Sequence, residues 1–150
     1  MKKYILVGLA ILMFLCGCTL RSEYTEGRDT VESYLGGEYQ ILKRTGYPPQ
    51  KENRILTLKN MKYRIDLIDF VNQYKKVKKI VYFVGITNGK YIYTQLDLNI
   101  GHVKYFIENG TLDDLQISHI DELLQDGTFE IISDISQFSE DDVNIFQSLK

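Results

Sequence analysis

The chain has 150 residues, 44% of them hydrophobic and 25% charged, with a net charge of −2. These are values of an ordinary globular domain, and no long low-complexity segment interrupts it. The acidic balance argues against a nucleic-acid partner, and both cysteines fall within the first 18 residues, which denies the remainder a disulfide framework.

Lys2 and Lys3 precede an almost wholly apolar run from Tyr4 to Leu15, small Gly17 follows, and polar sequence resumes at Thr19. A positive start, a short apolar run and a small-residue exit describe a secretory signal. The alternative is an uncleaved membrane span. As a helix, Tyr4 to Leu20 reaches about 25 Å against a hydrocarbon core of about 30 Å, which weighs against a span. Leu15-Cys16-Gly17-Cys18 resembles the lipobox of bacterial prolipoproteins, an aliphatic residue, two small residues and a cysteine. Cys16 departs from the commoner Ala or Ser. As the acceptor itself it would put bulky Leu15 just before the cut, so the match favours Cys18.

The resemblance implies cleavage before Cys18 and a diacylglyceryl group on its sulfur. Residues 1–17 are then the signal, 18–29 a lipidated tether and 30–150 an extracytoplasmic domain. Two acyl chains suffice for stable retention, whereas one alone binds marginally. The lipid bilayer is the first expected partner, on the outer face of the cell membrane. With two membranes, Thr19 in place of the Asp that marks inner-membrane retention implies the outer one. No cofactor beyond the covalent lipid is expected.

After the tether, Asp29 and Thr30 are cap-type residues and Thr30 to Tyr34 reads as a short helix ended by Gly36-Gly37. Glu38 to Arg44 and Arg54 to Lys59 read as strands around a Pro48-Pro49 loop. Leu67, Phe70, Val71 and Tyr74 recur at helical spacing, so a helix is expected from Ile65 to Lys76. Lys79 to Phe106 reads as a three-stranded meander, with Asn88-Gly89 as its hairpin turn. Ser118 to Gln125 is expected as a helix with a Ser118–Asp121 capping box and a stop at Gly127, and Thr128 to Ser133 as a strand. Ser139 with Asp142 caps a last helix carrying Val143, Phe146 and Leu149. The expected fold is a small single α+β domain, an antiparallel meander with a few short helices.

Candidate chemistry is sparse. His102 and His119 are the only histidines, with no spacing that makes a zinc or copper site, so no metal site is expected. Ser118, His119 and Asp121 hold the residue types of a hydrolase triad, but no Gly-x-Ser-x-Gly elbow presents a nucleophile. Asp97-x-Asn99-x-Gly101 starts like a calcium loop and lacks its closing Glu. Lys75, Lys76, Lys78 and Lys79 are the strongest cationic cluster. They suit an anionic membrane patch, or a solvated helix end that guards the next strand from aggregation. Charge is split along the chain. Thr19 to Ile107 holds 15 Lys and Arg against nine Asp and Glu, while Glu108 to Lys150 holds 11 acids and one Lys. The halves either attract one another in the fold or mark a partner surface. The functional expectation is a non-enzymatic envelope binding or accessory protein with a protein partner. The alternatives are an envelope hydrolase, or an immunity or inhibitor protein against an incoming toxin or phage product.

Overall fold

In the computed structural model the described residues are 29–45 and 54–150. Residues 1–28, with the expected signal and lipobox, and residues 46–53, with the expected Pro48-Pro49 loop, lie outside them. Four strands, β1 (Thr30–Tyr34), β2 (Tyr39–Thr45), β3 (Arg54–Asn60) and β4 (Ile65–Ile68), pair antiparallel in chain order as one sheet. The second sheet repeats that pattern with β5 (Phe70–Val77), β6 (Ile80–Thr87), β7 (Lys90–Asp97) and β8 (His102–Ile107), then adds β9 (Phe129–Ile132) beside β8. Three short helices complete the small domain: α1 (Leu112–Leu115), α2 (Ile120–Gln125) and α3 (Glu140–Ser148). The fold is mostly β, with two sheets where a single meander was expected.

The meander forms as predicted, because Asn88 and Gly89 both accept the left-handed backbone of a tight turn, at φ 47° and 76°. Thr30 to Tyr34 is a strand and not the expected helix. Leu35, Gly36 and Gly37, at φ 52°, 65° and 92°, make a sharp reversal, so the glycines close a hairpin where a helix stop was expected. The helix expected from Ile65 to Lys76 is also replaced, by β4 and β5. A bulge between Val71 and Gln73 inserts an extra residue, so Val71 and Tyr74, three apart, share a face. The bulge therefore imitates helical spacing. Phe70, a member of the predicted buried stripe, is 47% exposed.

Strand β9 runs parallel to β8, an arrangement the expected antiparallel sheet did not contain. A parallel neighbour needs a crossover, and residues 108–128 with α1 and α2 supply it. The N-cap of α2 falls one residue later than expected. His119, at φ 64°, takes its N-cap without a side-chain bond, so the Ser118–Asp121 box does not form. The box at α3 does form. The amide of Asp142 donates to Ser139 Oγ at 3.2 Å, and the amide of Ser139 donates to Asp142 Oδ2 at 3.1 Å.

The second sheet is the middle layer, because period-two alternation gives it two apolar faces. Val81, Phe83, Ile92, Leu96, Val103 and Tyr105 face the first sheet and pack with Ile41, Leu58 and Leu67. On the opposite face Tyr82, Val84, Tyr93 and Ile132 pack with Phe138, Phe146 and Leu149. Phe146 is fully buried, with ring centres 4.9 Å from Phe138, 5.4 Å from Tyr82 and 5.6 Å from Tyr93. Truncating it forfeits this cluster, so Phe146→Ala is expected to cost about 3–5 kcal/mol. Urea unfolding measures that loss, and a midpoint unchanged from wild type would contradict the packing.

Candidate functional site

Among the described residues a groove of about 750 Å³ opens at one end of the second sheet. Three segments build it: the Lys78–Lys79 turn between β5 and β6, the Asp97–Asn99 turn after β7, and the start of α3. The amide of Leu98 donates to the carbonyl of Lys79 at 2.8 Å and holds the two turns side by side. Lys78 carries the turn in the left-handed region, at φ 55°. Val77, Ile80 and Ile145 supply an apolar floor. Lys78 and Lys79 stand on one wall, and Asp141, Asp142 and Asn144 on the other.

Not all of this charge is free to bind. The Tyr82 hydroxyl donates to Asp142 Oδ1 at 2.6 Å. Burial, together with that carboxylate, pushes the Tyr82 hydroxyl up to about 12. Burial opposes ionisation of Asp142, but hydrogen bonds from Tyr82, Ser139 and Gln95 outweigh it and hold the carboxyl below its usual range. Asp142 is thus a capping and docking residue. Asp97 is also occupied, accepting the Asn99 amide at 2.8 Å. Lys78, Lys79 and Asp141 remain without an ion pair among the described residues.

Ser118 and His119 line a smaller pocket of about 270 Å³ with Arg64, Asp66 and Asp69. No hydrogen bond joins Ser118 to His119, and His119 Nδ1 lies 3.3 Å from Glu122 Oε1 on an exposed surface. Arg64, Gln116 and His119 hold left-handed backbone around this pocket, where they close the β3–β4 turn, the end of α1 and the start of α2. His102 Nε2 is 3.9 Å from Glu130 Oε2, across the parallel pair. The lysine cluster is not at a helix end. Lys75 and Lys76 lie on β5 opposite Tyr82 and Val81, pointing to alternate faces, and Lys78 and Lys79 follow in the turn. The two charge halves do meet: Asp126 pairs with Lys62 and accepts the Tyr63 hydroxyl at 2.8 Å. The Lys62 and Tyr63 hydrogen bonds hold the Asp126 carboxyl below its usual range.

The groove itself lay beyond sequence reading. Its lysines and its Ser139–Asp142 box are each legible, but their juxtaposition depends on where α3 docks. No helix among the described residues is long and apolar enough to cross a membrane. No protein-family model, curated protein or solved structure matches the chain. Its geometry therefore defines it only as a two-sheet, mostly-β domain with a mixed-charge groove.

Proposed function

We propose that the protein is a bacterial lipoprotein, cut before Cys18 and acylated on its sulfur, whose domain works outside the cytosol as a binding or accessory protein. One observation carries the reading: Lys2-Lys3, the apolar run and Leu15-Cys16-Gly17-Cys18 occur in the order and spacing that export and lipidation require. The domain suits a compartment in which its own thiols play no part. From Thr19 onward there is no cysteine, and stability rests on two packed apolar layers. The binding face in this reading is the α3 wall of the groove, where Asp141 and Asn144 border an apolar floor suited to a protein segment that carries basic residues. The hydrolase alternative gains no support, since Ser118 and His119 share a pocket without a hydrogen bond between them.

Feeding labelled palmitate to cells that express the wild type and Cys18→Ala tests the anchor. Label on the wild type alone, with the variant lost from the membrane fraction, is the expected result. Label that persists in Cys18→Ala would refute the assignment.

A further inference from the structure

We infer that the outer edge of β5 is a docking strip for an anionic lipid surface, held there by the Cys18 anchor; this rests on the anchoring proposed above. The proposed tether leads into the domain through β1. β1 crosses the face of the second sheet. The Tyr74 hydroxyl on β5 donates to Glu32 at 2.9 Å. Two residues on, the Tyr34 ring meets Phe83 on β6 edge-on, with centres 6.1 Å apart. Leu35 then reaches Gly101, in the turn between β7 and β8. Traced backward from Leu35, β1 therefore moves toward β5, and the described chain begins at Asp29, three residues before Glu32.

Four lysines line that side, with Glu32, Asp97, Asp141 and Asp142 as neighbours. Lys75, Lys76, Lys78 and Lys79 are exposed and form no ion pair among the described residues. Lys75 and Lys76 point to alternate faces of an edge strand, so their long stems can both reach past the edge toward one plane. The neighbouring acids are largely engaged. Glu32 accepts the hydroxyls of Tyr34 and Tyr74, Asp142 accepts Tyr82, and Asp97 accepts the Asn99 amide, while Asp141 stands across the groove from Lys78. Edge strands often carry lysine simply to block pairing with other chains. Charge alone would serve that purpose, yet β5 also exposes Phe70, an aromatic that works against it. Phe70 stands at one end of this edge and the lysines at the other, and lysine with exposed aromatic surface suits the boundary between headgroups and acyl chains. Residues 18–29 number twelve and reach at most about 40 Å even fully extended, which keeps this strip close to the bilayer and at high effective concentration.

The test uses the acylated mature chain, starting at Cys18, in vesicles of phosphatidylcholine, with or without about one third phosphatidylglycerol, and a membrane-impermeant amine-reactive reagent. Mass spectrometry reads the labelling rate of each lysine. On anionic vesicles at low salt, Lys75, Lys76, Lys78 and Lys79 should label about fivefold more slowly than on neutral ones. Lys104, on β8, should not change, and about 1 M salt should restore the rates. Equal rates on both vesicles, or equal protection on both, would overturn the strip. If the same sample lacks the acyl mass, the anchoring itself fails and the inference falls with it. Acylated protein with unprotected lysines overturns the inference alone.

Discussion

Gly85→Ala is expected to destabilise the domain by about 3 kcal/mol and lower its melting temperature by about 12 °C. Gly85 lies on β6 opposite Val71, where the chain passes from β4 in one sheet to β5 in the other through the single residue Asp69. A Cβ there would fall against the Phe70 carbonyl oxygen and Ile68 Cγ2, closer than real Cβ atoms approach, and within 3.1 Å of the Val71 Cα. Two of these three neighbours are backbone and cannot swing away. The corner is also riveted. The Thr57 hydroxyl donates to the Asp69 carbonyl at 3.0 Å, the Asp69 amide donates to Thr87 Oγ1 at 3.1 Å, and the Tyr105 hydroxyl donates to the Leu67 carbonyl at 2.6 Å. To admit a methyl the corner must shift and weaken these bonds, each worth about 1 kcal/mol. Calorimetry of the variant checks the effect, and a melting temperature within about 2 °C of wild type would show that the sheets are not tied in this way.

Alkaline unfolding is the second large effect. Burial pushes the hydroxyls of Tyr39 and Tyr82 up to about 12. Burial pushes those of Tyr34 and Tyr105 further still, with Glu32 adding to the effect at Tyr34. All four residues are at most 7% exposed. A raised value means that the folded chain keeps its phenol protons at a pH where the unfolded chain, with values near 10, releases them. The stabilisation is fully present below about pH 10 and is lost as pH rises through the folded values. Allowing for solvent screening, each tyrosine contributes about 1 kcal/mol per pH unit above that point. Together the four approach the whole stability of a small domain within roughly two units. Cooperative unfolding near pH 11.5 is therefore expected, with phenolate absorbance rising in step with the loss of circular dichroism. Smooth ionisation of these tyrosines near pH 10 with an unchanged dichroism spectrum would contradict their burial.

The meander was legible because its signals are local. Asn88-Gly89 sets a turn, and the flanking runs alternate at the period of a strand. The Ser139–Asp142 box was legible for the same reason. The corner at Asp69 was not, because Thr57, Thr87 and Gly85, which make it possible, come from other strands. The bulge after Val71 hid β5 by giving two strand residues the spacing of a helix. The parallel seat of β9 depends on Tyr105 meeting Phe129 and on the crossover packing, contacts that leave no periodic trace. The groove stands in between. Its lysine turn was visible as a charge cluster, whereas the opposing acidic wall becomes its neighbour only through the Phe146 docking of α3.

The thioether at Cys18 is the claim from which the outward placement of the domain and the reading of its surfaces follow. Intact-mass measurement of the protein isolated from its own membranes tests it most directly. The account predicts a chain that starts at Cys18 and carries a diacylglyceryl group. A chain that retains Met1, or one that starts elsewhere without lipid, would contradict it.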